Sequence, residues 1–116
     1  MKYVLLFCGS AADQEAFDRM TPEELGKRYG EVGAWFGANQ HRMVNTNQLQ
    51  GPETATSVRF DETGNAQVKD GLFLEGKELV GGYAEVEVRD LDEAIAMATS
   101  WPGRGTVEIR PVVERR

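Results

Sequence analysis

The strongest constraint on the fold is a short run of apolar residues near the start of the chain. Residues 3–8 read Tyr-Val-Leu-Leu-Phe-Cys without interruption, and Gly9-Ser10 ends the run. An apolar run of this length between turn residues predicts a strand that is buried on both faces and therefore central in its sheet. The following residues, 9–20, are polar and irregular, and no regular element is predicted there.

A helix is predicted from residue 21 to about residue 39. Thr21 is a favourable N-cap, Pro22 suits the first helical position, and Glu24 completes a capping box. Because apolar residues at helical spacing mark the buried side of a helix, four positions are expected to face the core. These are Leu25, Tyr29, Val32 and Phe36.

Four glycines lie along one side of this predicted helix, beside its apolar stripe: Gly26, Gly30, Gly33 and Gly37. Each interior glycine costs about 1 kcal/mol relative to alanine. Either the helix is stabilised by packing that tolerates them, or another backbone, a partner subunit or a ligand approaches this side closely.

The rest of the chain predicts further strands and a second helix. Asp90 is expected to cap this helix, which ends at Trp101-Pro102-Gly103. In the strand before it, Ala84, Val86 and Val88 alternate with Tyr83, Glu85 and Glu87 and are expected to face the other way. Extended segments are predicted at residues 43–50, 54–60, 66–69, 83–88 and 106–113.

The order of these elements is strand, helix, strands with a hairpin, strand, helix, strand. This split βαβ pattern predicts an α+β fold of the ferredoxin-like type with an extra hairpin, as a single domain over residues 1–116. Two helices cover only one face of such a sheet. A symmetric homodimer that buries the open faces is therefore expected.

Charge and cysteine content narrow the possible partners. The chain has 13 Lys and Arg against 19 Asp and Glu, a net charge of −6, so no nucleic-acid partner is expected. Cys8 is the single cysteine, which fits a reducing compartment. No stretch approaches the ~18 apolar residues of a membrane span, and no signal-peptide pattern is found. We therefore expect a cytoplasmic protein without a membrane partner.

A long motif in the second half of the chain carries a family resemblance. Residues 70–83 read DGLFLEGKELVGGY. This stretch resembles the signature of the DGPF proteins of the YCII-related superfamily, roughly D-G-P-F-x-E-x-K-E-x-x-G-G-Y, with Leu72 in place of the proline. The resemblance extends over essentially the whole chain. It implies a ferredoxin-like fold that dimerises into an α/β barrel.

The resemblance does not imply one activity. Some YCII-related proteins are enzymes, including a dehydrochlorinase, and these are associated with a His-Asp pair on and after the first helix. This sequence departs from that pair, because Gly30 or a neighbour stands near the histidine position and Asn39 or Gln40 near the acid. Many DGPF proteins accompany or are fused to sigma factors, which implies a regulatory or small-molecule-sensing context.

Three residues are candidates for catalysis. Asp70 precedes a glycine and is either a turn residue or a carboxylate at a cleft mouth that acts as a base. Tyr83 is either a hydroxyl donor in a pocket or interfacial packing. His41, the only histidine, follows the predicted helix and either caps its C-terminus or assists catalysis.

Five further residues are candidates for ligand binding: Phe73, Glu75 and Lys77 in the motif, Asn47, and Arg59. Asn45 and Asn47 are expected to share one strand face with Met43 and Leu49, as an exposed edge or the lining of a polar cavity. The charged residues of the motif form either a solvated loop or part of the site, where Lys77 or Arg59 would meet an anionic substrate.

Three functions stay open. The chain is a homodimeric small-molecule binding or sensing module, a small enzyme of lyase or dehydrochlorinase type with Asp70 as base, or a dimeric protein-interaction module. With one histidine and one cysteine, no transition-metal site is expected. No cofactor is expected either, and Gly81-Gly82 fits a bulge or a close backbone approach better than a phosphate site.

Overall fold

The computed structural model describes residues 1–72, 76 and 78–115. Within these residues the chain is an α+β protein with three α-helices and two antiparallel sheets. Short 3₁₀ turns follow α2 and precede β3. The elements in chain order are β1 Lys2–Gly9, α1 Ala11–Asp18, α2 Pro22–Asn39, β2 Met43–Gln48, β3 Thr56–Phe60, β4 Ala66–Asp70, β5 Leu79–Glu87, α3 Leu91–Thr99 and β6 Thr106–Pro111.

The larger sheet has the strand order β2-β5-β1-β6. The apolar strand β1 pairs antiparallel with β5 on one side and with β6 on the other, so its predicted central place is confirmed. Leu5 in β1 faces Ala84 and Ile109 across the two ladders. This order, with α2 and α3 as crossovers, is compatible with a ferredoxin-like fold.

The core lies between this sheet and the helices. It consists of Tyr3, Leu5, Trp35, Ala84, Val86, Val88, Ala94 and Met97, each at most 5% exposed. The predicted inward face of β5 is therefore confirmed, because Ala84, Val86 and Val88 are all buried.

Trp35 of α2 connects α2 and α3 to the sheet. Its indole Nε1 donates hydrogen bonds to the Met97 carbonyl and the Ser100 hydroxyl, both at 3.1 Å. Its ring meets Phe7 of β1 and Trp101 edge to face, with ring centroids 6.1 and 5.0 Å apart. A buried indole with a satisfied N–H contributes both apolar area and orientation.

The structure corrects the interpretation of residues 9–20, which contain helix α1. Ser10 caps it, because the Ser10 hydroxyl accepts from the Asp13 amide while the Asp13 carboxylate accepts from the Ser10 amide at 2.8 Å. The helix is only eight residues long and buries none of them. It therefore lacks the apolar periodicity on which the sequence prediction depended.

Helix α2 begins with the predicted capping box at Thr21 and Glu24. Three of its four predicted core residues, Leu25, Val32 and Phe36, are half-buried, but the buried side is shifted away from the fourth. Tyr29 is 58% exposed and touches Phe17 of α1, whereas Trp35 is the buried aromatic residue. The prediction for Tyr29 was wrong because the buried side of α2 is centred nearer Trp35 and Asn39, and at ~100° per residue Tyr29 lies about 120° around the helix from Trp35.

The glycine side of α2 faces open space within the described chain. A Cβ atom added at Gly26, Gly30, Gly33 or Gly37 would have no neighbour within 4 Å. No backbone of the same chain in the described part therefore approaches these glycines.

We expect Trp35→Ala to lower the free energy of unfolding by about 3–5 kcal/mol, because it removes a buried aromatic side chain and leaves a cavity. Tyr29→Ala on the same helix, at an exposed position, is expected to cost less than about 1 kcal/mol. Urea denaturation of both variants measures the difference. A larger loss for Tyr29→Ala would contradict the burial of Trp35 and the exposure of Tyr29 described above.

Candidate functional site

The helix-free face of the larger sheet carries a polar cluster where β2 pairs with β5. Asn47 lies opposite Tyr83, and Asn45 lies opposite Glu85. A bulge between Met43 and Asn45 changes the register, so Met43 packs against the core while the two asparagines lie on the other face. The expectation that Met43 shares their face was wrong, because an inserted residue reverses the alternation of side chains.

The hydroxyl of Tyr83 is held by the two asparagines. The Asn47 amide Nδ2 donates to it at 2.9 Å, and the Asn45 Nδ2 lies at 3.5 Å. Since a phenol can accept and donate at the same time, the Tyr83 O–H stays available to donate outward. The Thr46 hydroxyl donates to the Tyr83 carbonyl at 2.8 Å and ties the two strands at the same place.

Gly82 makes this strand pairing close. A Cβ atom at Gly82 would lie 3.0 Å from the Asn47 carbonyl oxygen, so a larger residue would push β2 away from β5. The prediction that the Gly81-Gly82 pair permits a close backbone approach is confirmed at this position.

Beside the cluster, the face combines an apolar floor with charges. Leu6 lies between Tyr83 and Glu108, and Val4 lies between Glu85 and Arg110. Both aliphatic residues are half-buried, as is Glu85. The Glu108 and Arg110 side chains form an ion pair at 3.6 Å. The face can therefore offer a flat apolar surface, a hydroxyl donor and charges of both signs.

A cleft of about 1340 Å³ lies beyond the end of β1. It is bounded by α1, by residues 48–54 and by the start of β5, and the cations Arg28 and Arg104 line it together with Asp13. Hydrogen bonds from the Ser10 amide and hydroxyl lower the pKa of Asp13, with a smaller contribution from the charge of Arg104. Asp13 is therefore a structural carboxylate of the cap and stays ionised at neutral pH.

A second groove, of about 460 Å³, lies between the end of α2 and α3. The buried Asn39 accepts from Arg42 at 2.9 Å, and Arg42 also pairs with Glu93 at 3.6 Å. Hydrogen bonding from the Arg89 amide, followed by the charges of Arg89 and Arg42, lowers the pKa of Glu93. Sequence reasoning missed this network, although an Asn followed three residues later by Arg at a helix end could have indicated it.

The predicted site residues do not form one group within the described residues. Tyr83 and Asn47 come together, and Asn45 lies beside Asn47 on the strand face that the sequence predicted for both. Asp70 and Arg59 lie on the smaller β3–β4 sheet, opposite Thr56 and Gln67. Phe73, Glu75 and Lys77 lie outside the described residues.

His41 lies in the single 3₁₀ turn that follows α2, and its side chain is exposed. Its neighbour Arg42 makes the contacts that fix the end of the helix. The choice between capping and catalysis for His41 stays a prediction.

Cys8 behaves as a small apolar residue with a protonated thiol. Its side chain is half-buried at the end of β1, and partial burial, then the charges of Glu108 and Glu78, raise the pKa of the thiol. Because the thiolate is the nucleophile, a raised pKa disfavours reactivity at neutral pH.

The described residues hold neither a metal-binding cluster nor a membrane-spanning helix. No group of three or more His, Cys, Asp and Glu is placed to hold a metal ion among them. None of the helices in the described part of the chain is long and apolar enough to cross a membrane.

These features define an α+β protein with helices on one face of its larger sheet and a polar cluster on the other. The family model described as the YCII-related domain matches residues 1–116. The chain therefore belongs to the YCII-related domain family, as the motif at residues 70–83 indicated. A comparison with curated proteins found no match.

Asp13→Asn tests the charge in the cap of α1. The pKa of Asp13 is lowered from its ordinary value of 3.8 in the folded protein. Its stabilising contribution is therefore present above that value and is lost as the pH falls through the folded pKa. We expect the melting-temperature difference between wild type and Asp13→Asn to narrow as the pH falls below about 4.

Thermal melts across a pH series measure this difference. Glu15→Gln, an exposed acid in the same helix, is the matched control and is expected to show no such narrowing. A melting-temperature difference between wild type and Asp13→Asn that is the same at all pH values would contradict a stabilising role for the Asp13 charge in the cap.

Proposed function

We propose that this protein is a homodimeric small-molecule binding or sensing module whose ligand lies against the Tyr83 face of the larger sheet. The observation that carries the proposal is the hydrogen bond from the Asn47 amide to the Tyr83 hydroxyl. It fixes the position of the oxygen and leaves the O–H free to donate to a ligand.

The chemistry of the face indicates the class of ligand. The Tyr83 O–H suits an acceptor such as a carbonyl or carboxylate oxygen, and the Asn45 and Asn47 side-chain oxygens suit a ligand donor. Val4 and Leu6 supply the apolar surface on which a flat organic body would lie. Binding pockets commonly combine such apolar walls with a few placed polar groups.

A homodimer would enclose this site. The helices cover one face of the larger sheet, and within the described residues the Tyr83 face has no covering layer. A second copy placed on this face about a two-fold axis would form the dimeric α/β barrel that the ferredoxin-like strand order allows. The half-buried, protonated Cys8 fits the reducing environment of the cytoplasm.

The proton-transfer alternative has less support from the geometry. It needs Asp70 as a base near Tyr83, and these residues lie on separate sheets of the chain. The held Tyr83 hydroxyl serves binding without a second catalytic group, so we place binding before catalysis.

Tyr83→Phe is expected to weaken binding by about tenfold, because it removes one hydrogen bond of about 1–1.5 kcal/mol. A metabolite library is screened for compounds that raise the melting temperature of the full chain, and the dissociation constant of each hit is then measured. Tyr29→Phe removes a hydroxyl from the exposed tyrosine of α2 and is the matched control.

Equal affinities of wild type and Tyr83→Phe for every hit would place the ligand elsewhere. The dimer is tested separately by the mass of the protein in solution. A mass of one chain at micromolar concentration would contradict the enclosed site.

A further inference from the structure

The β3–β4 hairpin has one apolar and one polar face. Pairing places Val58 opposite Val68 and Phe60 opposite Ala66. Because side chains alternate along strands, these four share one face, while Arg59 and Gln67 share the other. We call this hairpin, residues 56–70, the arm.

The apolar face of the arm is mostly exposed. Val58, Phe60 and Val68 are 53%, 68% and 71% exposed. Together they present on the order of 300 Å² of apolar surface, within the range of the largest patch on a typical monomer, which is often functional.

The arm receives little support from the rest of its own chain. It contributes no residue to the hydrophobic core cluster of the described chain. Backbone and hydroxyl hydrogen bonds fasten its base, where the Gly71 amide donates to the Ala55 carbonyl and the Ser57 hydroxyl donates to the Gly71 carbonyl, both at 2.6 Å. An isolated two-stranded hairpin is marginally stable in water.

The dimensions of the molecule agree with an extended arm. The radius of gyration is 16.5 Å, whereas a compact chain of this length has a radius of about 13 Å. An extended hairpin with an apolar face gains stability when that face is buried against another surface.

We propose that the apolar face of the arm packs against a second copy of this chain. The proposal rests on the homodimer proposed above and names a part of its interface. It assigns to Val58, Phe60 and Val68 an energetic role in association that is separate from ligand binding at Tyr83.

The charge distribution permits a second copy as the occupant. Two chains of net charge −6 repel each other, so contact is least costly where neither brings charge to the interface. The apolar face of the arm is uncharged along Val58, Phe60 and Val68. The acids of the arm lie at its base, Asp70, and in the turn at its tip, Asp61 and Glu62. The charged residues Arg59 and Lys69 lie on the opposite face.

The apolar area of the arm is large enough to form a substantial part of a dimer interface. A standard interface buries about 800 Å² on each partner. The apolar face of the arm, on the order of 300 Å², would supply more than a third of that area on each partner.

The test compares threonine variants on the two faces of the arm. Phe60→Thr and Val68→Thr remove apolar surface but keep a residue that favours strands. Gln67→Thr, on the opposite face of the same strand as Val68, is the matched control. Sedimentation of the full chain over a concentration series gives each dimer dissociation constant, and circular dichroism checks that each variant is folded.

We expect the dissociation constant to rise about a hundredfold for Phe60→Thr, because a symmetric dimer loses the aromatic side chain twice. Val68→Thr is expected to show a smaller rise, and Gln67→Thr a change of less than about twofold. This pattern would support the arm as part of the dimer interface.

Two results would overturn the proposal while leaving the homodimer in place. One is a dimeric wild type whose dissociation constant is unchanged in Phe60→Thr and Val68→Thr. The other is a dimer that Gln67→Thr weakens as much as Val68→Thr does, which would show that any change in the strand weakens the dimer, whichever face it is on. A wild type that stays monomeric at all concentrations would overturn both this proposal and the homodimer.

Discussion

The layered structure depends on one buried side chain, Trp35. Its ring packs edge to face against Phe7 of the central strand, and its indole N–H donates to the Met97 carbonyl and to Ser100 at the end of α3. One residue of α2 therefore sets both the distance between α2 and the sheet and the position of α3. Since helices pack on a sheet through such fixed contacts, both helices stay on one side, and the face with Tyr83 stays uncovered.

On the uncovered face, the path of the backbone brings the polar side chains together. Asn47 meets Tyr83 because of two features of the backbone: the bulge in β2 and the close approach of β2 to β5 at Gly82. The same sheet is thus apolar where Trp35 packs and polar where Asn47 lies. This division gives binding and folding separate surfaces.

Sequence alone predicted what depends on local signals. The central apolar strand, the capping box at Thr21 and the alternation around Ala84 were all predicted, because burial and capping leave periodic patterns. Helix α1 was missed because it buries nothing. Tyr29 and Met43 were assigned to the wrong faces, because the rotation of a helix and the register of a strand are decided by partners distant in sequence.

The glycine side of α2 has a consequence for how the chain folds. The four glycines, where an added Cβ atom would meet no other part of the described chain within 4 Å, cost this helix about 4 kcal/mol relative to alanine. Isolated helices of this length are marginal even with favourable residues. Helix α2 is therefore not autonomous: it becomes stable as it docks on the central strand, so its formation and the assembly of the sheet belong to one cooperative step.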